Sequence, residues 1–156
     1  MKAHAREAQI EIDASPEEVF DLIHDYDRRL EWDPFLKEAR LLGTSQAGVG
    51  AVCRCVARNG FGGLAMEAVY VSFDRPDVAA VKMVKGPWIL RSFAATLKQE
   101  RIEGNRTRVT YRYNFETQPA WLSGIFDLIC RWMFSSEVRN RLRHLKLFLE
   151  RKTLPA

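Results

Sequence analysis

Ile10-Glu11-Ile12-Asp13-Ala14-Ser15-Pro16-Glu17-Glu18-Val19-Phe20-Asp21-Leu22-Ile23, followed by Leu30-Glu31-Trp32-Asp33-Pro34-Phe35, is the stretch that decides the fold of this chain. Ile10 and Ile12 alternate with polar neighbours, the period of a half-buried strand. The alternation stops at Ser15-Pro16-Glu17-Glu18. Ser15 suits an N-cap, Pro16 the first helical position, and Glu17 and Glu18 the positive end of the helix dipole. Glu18 stands three residues after Ser15, the spacing of a capping box. Val19, Phe20, Leu22 and Ile23 then supply an apolar face for the helix.

Downstream, Asp25-Tyr26-Asp27-Arg28-Arg29 reads as a turn, and residues 30–35 fit a short second helix that breaks near Pro34. An extended segment restarts at Ala39. From there to Pro119 strands and turns alternate. The Asn59-Gly60-Phe61-Gly62-Gly63 run is a strong loop signal, as are 74–77 and Lys85-Gly86-Pro87.

The last hairpin is testable by parity. Thr107, Val109, Tyr111, Tyr113 and Phe115 alternate with polar residues, and Phe93, Ala95 and Leu97 form the apolar set of the partner strand. Directly paired residues share a face. A three-residue loop of Glu103, Gly104 and Asn105 sets Leu97 opposite Tyr111, whereas a two-residue loop sets it opposite Arg112. The three-residue loop keeps the apolar sets together, with Gly104 or Asn105 in the left-handed conformation.

Residues 120–151 form one long segment, roughly 48 Å if helical throughout at ~1.5 Å per residue. Val138, Leu142, Leu145 and Leu149 make its second half regularly amphipathic. Its first half, 125–134, is apolar on most sides, and Ser135-Ser136 is a candidate bend. Asp127 and Arg131 lie four apart, an ion-pair spacing.

One strand, two short helices, about six antiparallel strands and a long last helix make an α+β order. With its strand–ASPEEVF–helix opening, the chain resembles the START-like superfamily of polyketide cyclase/dehydrase and lipid-transport proteins. The resemblance implies a helix-grip fold over one domain, 1–156, with 1–6 as a flexible tail. It also implies a curved sheet of about seven strands wrapped on the last helix around an apolar cavity.

At 156 residues the chain can bury a real core, and its 47% hydrophobic and 28% charged residues are an ordinary globular balance. The first six residues lack the apolar run of a signal peptide, and no stretch reaches the ~18 uncharged apolar residues of a membrane span. The expectation is a cytoplasmic protein. Cys53, Cys55 and Cys130 are an odd number without a secretory signal, which argues against a disulfide framework and for small buried residues. The net charge of +4 is mild and concentrated near the C-terminus, and no nucleic-acid motif accompanies it.

No catalytic motif is present. His4, His24 and His144 belong to separate elements and show no metal-ligand spacing, so no metal or cofactor is expected; His24 and His144 read as helix-surface residues. No G-x-S-x-G occurs, and the glycines at 60, 62 and 63 join antiparallel strands without a phosphate-binding setting. The leading expectation is a binding module for a hydrophobic small molecule: a lipid, isoprenoid quinone or polyketide. The alternative is an enzyme resembling the aromatase/cyclases.

The candidate ligand-facing side chains are Tyr111 and Tyr113 with Phe93, Leu97 and Phe115, then Glu67, Tyr70, Arg91 and Arg54. Arg91 shares the parity of Phe93, which points it inward unless a bulge intervenes, with Glu67 as its partner. Parity leaves Glu67 itself open, because both alternating sets of its strand are fairly apolar. From the superfamily's gating loops, Phe61, Trp88 and Trp121 are expected to ring the cavity mouth, with Ile125 and Ile129 on the helix beneath. A further reading places the 125–134 segment against a membrane or a second copy, which leaves monomer and homodimer both open.

Overall fold

The computed structural model describes residues 5–58 and 63–151. Strand β1 (Arg6–Ile12) leads into α1 (Pro16–Ile23) and the one-turn α2 (Arg29–Trp32). Six strands follow: β2 (Leu36–Leu42), β3 (Val52–Ala57), β4 (Ala65–Asp74), β5 (Val78–Lys85), β6 (Leu90–Arg101) and β7 (Thr107–Thr117). A 3-10 turn (Ala120–Leu122) then opens α3 (Ser123–Arg151). The curved antiparallel sheet has seven strands in the order β1-β7-β6-β5-β4-β3-β2. Arg6 is not part of a tail, because it pairs with Tyr113 in β1.

The start of α1 is built as its sequence demands. Ser15 Oγ accepts from the Glu18 amide at 3.2 Å, and the Ser15 amide donates to Glu18 Oε2 at 2.9 Å. Both orphan donors of the capping box are thereby satisfied. Replacing Ser15 with Ala is expected to lower stability by about 1 kcal/mol, read as a shift in the urea midpoint; an unchanged midpoint contradicts this.

The 11 residues of β7, Thr107 to Thr117, alternate strictly, every second one buried and those between more exposed. Leu97 pairs with Tyr111 and Phe93 with Phe115, and the Ile102 amide donates to the Arg106 carbonyl across the three-residue loop. Gly104 takes the left-handed turn position, with φ of 66°.

The core lies between the concave sheet face and α3. Val138, Leu142, Leu145 and Leu149 are buried there. Lys146 Nζ donates to the Glu11 carbonyl at 2.7 Å, which ties the end of α3 to β1. Ser135 and Ser136 do not bend the helix out of its hydrogen-bonded run; α3 continues unbroken for 29 residues.

Candidate functional site

A cavity of about 160 Å³ lies between the concave face, α3 and the α1–α2 corner. The same strand parity that hides β7 aims Phe93, Ala95, Leu97 and Tyr111 into it. From β3 and β4, Cys53, Cys55, Met66, Ala68 and Tyr70 join them, and α3 contributes Cys130, Met133, Phe134, Glu137, Val138 and Arg141. Phe134 anchors the aromatic wall, with ring centroids 5.3 Å from Phe93, 6.0 Å from Tyr113 and 5.2 Å from Phe115.

The expected site residues divide. Phe93, Leu97, Tyr70 and Tyr111 line the cavity. Tyr113 and Phe115 are buried one layer behind, packed on Phe134. Arg91 is exposed, because the β6–β7 register shifts between Leu90 and Ser92 and turns it outward. Glu67 lies on the outer face beside Arg54, 3.7 Å away, and the pair does not reach the cavity. The expected Arg91–Glu67 partnership does not form.

The expected ring at the mouth is also revised. Phe61 lies outside the described residues, as does His4. Trp88 is exposed and meets Phe126 edge-on with ring centroids 5.6 Å apart, beside the cavity-lining Pro87 and Ile89. Trp121, in the 3-10 turn, and Ile125 and Ile129 of α3 do not line the cavity and, with Leu128 and Trp132, form an exposed apolar face along the turn and the start of α3. Helical geometry puts 121, 125, 128, 129 and 132 on one side, while 130, 133 and 134 turn inward.

The polar end of the cavity was not anticipated. His24 is not a surface residue. Its Nδ1 and the Tyr26 hydroxyl each lie 2.8 Å from the Tyr70 hydroxyl, and its ring packs 4.5 Å from Phe20. Burial drives the His24 pKa down to about 3, with Arg29 adding to the effect. The ring is therefore neutral in the folded protein, while the unfolded chain takes up a proton near pH 6.5. Stability is full above that pH and falls as the pH drops toward 3, by up to about 1.4 kcal/mol per pH unit. The His24 ring resonances in an NMR titration are expected to stay in the neutral position from pH 8 to pH 4.5. A midpoint between 6 and 7 contradicts the buried placement. Burial likewise pushes the Tyr26 and Tyr70 hydroxyls up.

Beneath these rings sits an ionic cluster. Asp33, fully buried, accepts from Arg29 Nε at 2.9 Å and from Arg141 Nη2 at 2.8 Å. Burial alone would raise the Asp33 carboxyl, but Arg141 and Arg29 together hold it below its usual range. Arg29 lies over the Trp32 ring at 4.9 Å and Arg141 over Phe35 at 5.4 Å, so aromatic faces support both cations. A sequence signal existed for half of this cluster: Arg29 and Asp33 are four apart among Tyr26, Trp32 and Phe35. Likewise, His24 continues the apolar face of α1, four residues after Phe20. The Asp33–Arg141 contact spans 108 residues and has no local signal.

The curved sheet gripping a long helix around a largely apolar cavity is the START-like, birch-pollen-allergen-like helix-grip fold. The chain belongs to the polyketide cyclase / dehydrase and lipid transport family, whose profile matches residues 3–150. Among solved structures it is similar to the Zhui aromatase/cyclase from Streptomyces sp. R1128, with 14% identity, TM-score 0.82, and 98% and 97% of the two chains covered. It is also similar to a START superfamily protein from Mycobacterium smegmatis, with 10% identity, TM-score 0.77, and 95% and 98% covered. Ginseng major latex-like protein 151 from Panax ginseng matches at 13% identity and TM-score 0.73, with 94% and 97% covered. At these identities the likeness is one of fold. No curated protein sequence gave a significant match.

Proposed function

We propose that this chain binds a hydrophobic small molecule in its internal cavity, of the lipid, isoprenoid quinone or polyketide-like kind. The observation that carries the reading is the cavity itself: about 160 Å³ enclosed by Phe93, Leu97, Met133, Phe134 and their neighbours, with polar groups gathered at one end. A volume near 150 Å³ holds about one benzene ring, so the enclosed part takes a ring-sized group. A longer molecule would extend past Pro87, Ile89 and Leu64, where the wall meets the exposed loops. Native mass spectrometry of freshly purified protein, followed by organic extraction, is the test. A co-purifying apolar compound supports binding. Extraction of only polar solutes from a protein that refuses apolar probes contradicts it.

A second reading, an aromatase/cyclase or dehydrase-type enzyme using the same cavity, is favoured by one feature. Tyr26, Tyr70, His24, Cys53 and Cys55 put hydroxyls, an imidazole and thiols in the cavity wall, groups able to move protons on a bound molecule. Neither Arg91 nor Glu67 lines the cavity. Turnover of a supplied polyketide mimic that disappears in Tyr70→Phe would decide for the enzyme; unchanged turnover in that variant would remove Tyr70 from it.

The exposed face of α3 favours a contact outside the cavity, with a membrane or a second copy. Trp121 is 81% exposed and Trp132 73%, on the same side as Ile125 and Leu128. Contiguous apolar surface of this kind marks an interaction site on a folded protein. No described helix is long and apolar enough to cross a membrane. Trp121→Ser with Trp132→Ser is expected to abolish flotation with liposomes or to shift a dimer to monomer in size-exclusion chromatography. A wild-type protein that is strictly monomeric and ignores liposomes contradicts this contact.

A further inference from the structure

The charged groups around the cavity are unevenly matched. Arg29 gives Nε to Asp33 and Nη1 to the Ile23 carbonyl; Arg141 gives Nε and Nη2 to Asp33. Among the described residues, Arg29 Nη2 and Arg141 Nη1 meet no acceptor. Both arginines line the cavity, while Asp33, their shared carboxylate, does not. Two guanidiniums thus rest on one carboxylate, and the donors left over belong to cavity-lining side chains. A buried cation is costly unless fully paired, and its planar fork suits a carboxylate partner.

The only carboxylate lining the cavity among the described residues is Glu137. It stands one helical turn before Arg141, toward the mouth, and is not ion-paired to either arginine. Its Oε2 is buried without a hydrogen bond. An acceptor without a donor and donors without an acceptor therefore belong to side chains that border the same small space. Apolar walls and a ring-sized volume separate this polar end from the mouth.

We infer that the cavity is a receptor for a ring-sized organic acid, a monocyclic carboxylate whose ionised head meets Arg29 and Arg141 and whose ring hydroxyl donates to Glu137. The inference rests on the cavity being the ligand site and adds the class of ligand. A neutral hydrocarbon fills the apolar volume but leaves the guanidinium donors and the Glu137 oxygen unpaired. A carboxylate answers the first, and a hydroxyl on the ring answers the second. Charge-assisted hydrogen bonds in a site shielded from solvent make that difference large.

The test varies the ligand first, so that folding is untouched. Calorimetric titration of the wild-type protein with benzoate, benzamide, toluene and 4-hydroxybenzoate is expected to rank benzoate about tenfold or more above benzamide. 4-Hydroxybenzoate is expected to bind tighter than benzoate. Arg141→Gln is expected to weaken benzoate about tenfold while leaving toluene unchanged, in protein whose unfolding temperature shows it folded. Glu137→Gln is expected to erase the preference for the hydroxyl-bearing ring. Benzamide or toluene binding as tightly as benzoate overturns the acid head and leaves the cavity reading standing. A 4-hydroxybenzoate no tighter than benzoate overturns the role of Glu137. Failure of all four compounds to bind overturns the cavity reading and the inference together.

Discussion

Asp33→Asn is expected to be among the most destabilising single substitutions in this protein, costing about 3–5 kcal/mol. The side chain keeps its size but loses the charge that Arg29 and Arg141 share. Both guanidiniums are largely buried, so neither can recover its hydration without opening the structure. For a domain of this length, such a loss lowers the unfolding temperature by about 10 °C, at about 2–4 °C per kcal/mol. Thermal and urea unfolding measure it. A change below about 1 kcal/mol would show that the cluster reaches solvent and belongs with ordinary surface pairs. The double variant with Arg141→Met is expected to recover part of the loss, because it removes the second uncompensated cation.

The same carboxylate gives the stability a pH dependence of known sign. Asp33 is held below its usual range in the fold, so the unfolded chain binds the proton more readily in acid. Its contribution is complete above the unfolded value of about 3.9 and disappears as pH falls through the folded value. His24 acts earlier, below about pH 6.5. The two together predict a protein that loosens in two acid stages, with the first stage missing in a His24→Gln variant.

Ala95→Phe is expected to remove apolar ligand binding almost completely. Ala95 is buried, lines the cavity and sits in β6 between Val81 and Tyr113. Its methyl points into a space of about 160 Å³, so an added ring occupies what a ligand would occupy. The affinity for an apolar probe is expected to fall about a hundredfold, equivalent to about 3 kcal/mol of lost apolar burial. Stability should change little or rise, because the ring fills a void and displaces no packed neighbour. A variant that folds and binds the probe as the wild type does would place the binding elsewhere.

Local chemistry explains why much of the fold was legible from the chain. The Ser15–Glu18 cap, the parity of β7 and the Leu97–Tyr111 pairing each follow from a few neighbouring residues. The Val138–Leu149 stripe of α3 is equally local. Arg91 was misplaced because a single extra residue in a strand reverses the facing of everything before it. Glu67 stood in a strand whose two faces are both apolar, so alternation carried no information. The first half of α3 is apolar all round, which hid the fact that Ile125 and Ile129 look outward while Met133 and Phe134 look in. Finally, the cavity's polar end is assembled from the α1–α2 corner, β3, β4 and the middle of α3. Its contacts are long-range, and no spacing along the chain announces them.

The proposed apolar ligand settles inside this cavity, not on the exposed aromatic face at the start of α3. Intermolecular nuclear Overhauser contacts between toluene and carbon-13-labelled protein distinguish the two directly. Contacts to Phe93, Leu97, Met133 and Phe134 are the predicted result, and they should vanish in Ala95→Phe. Contacts confined to Trp121, Ile125 and Trp132, persisting in that variant, would contradict the account.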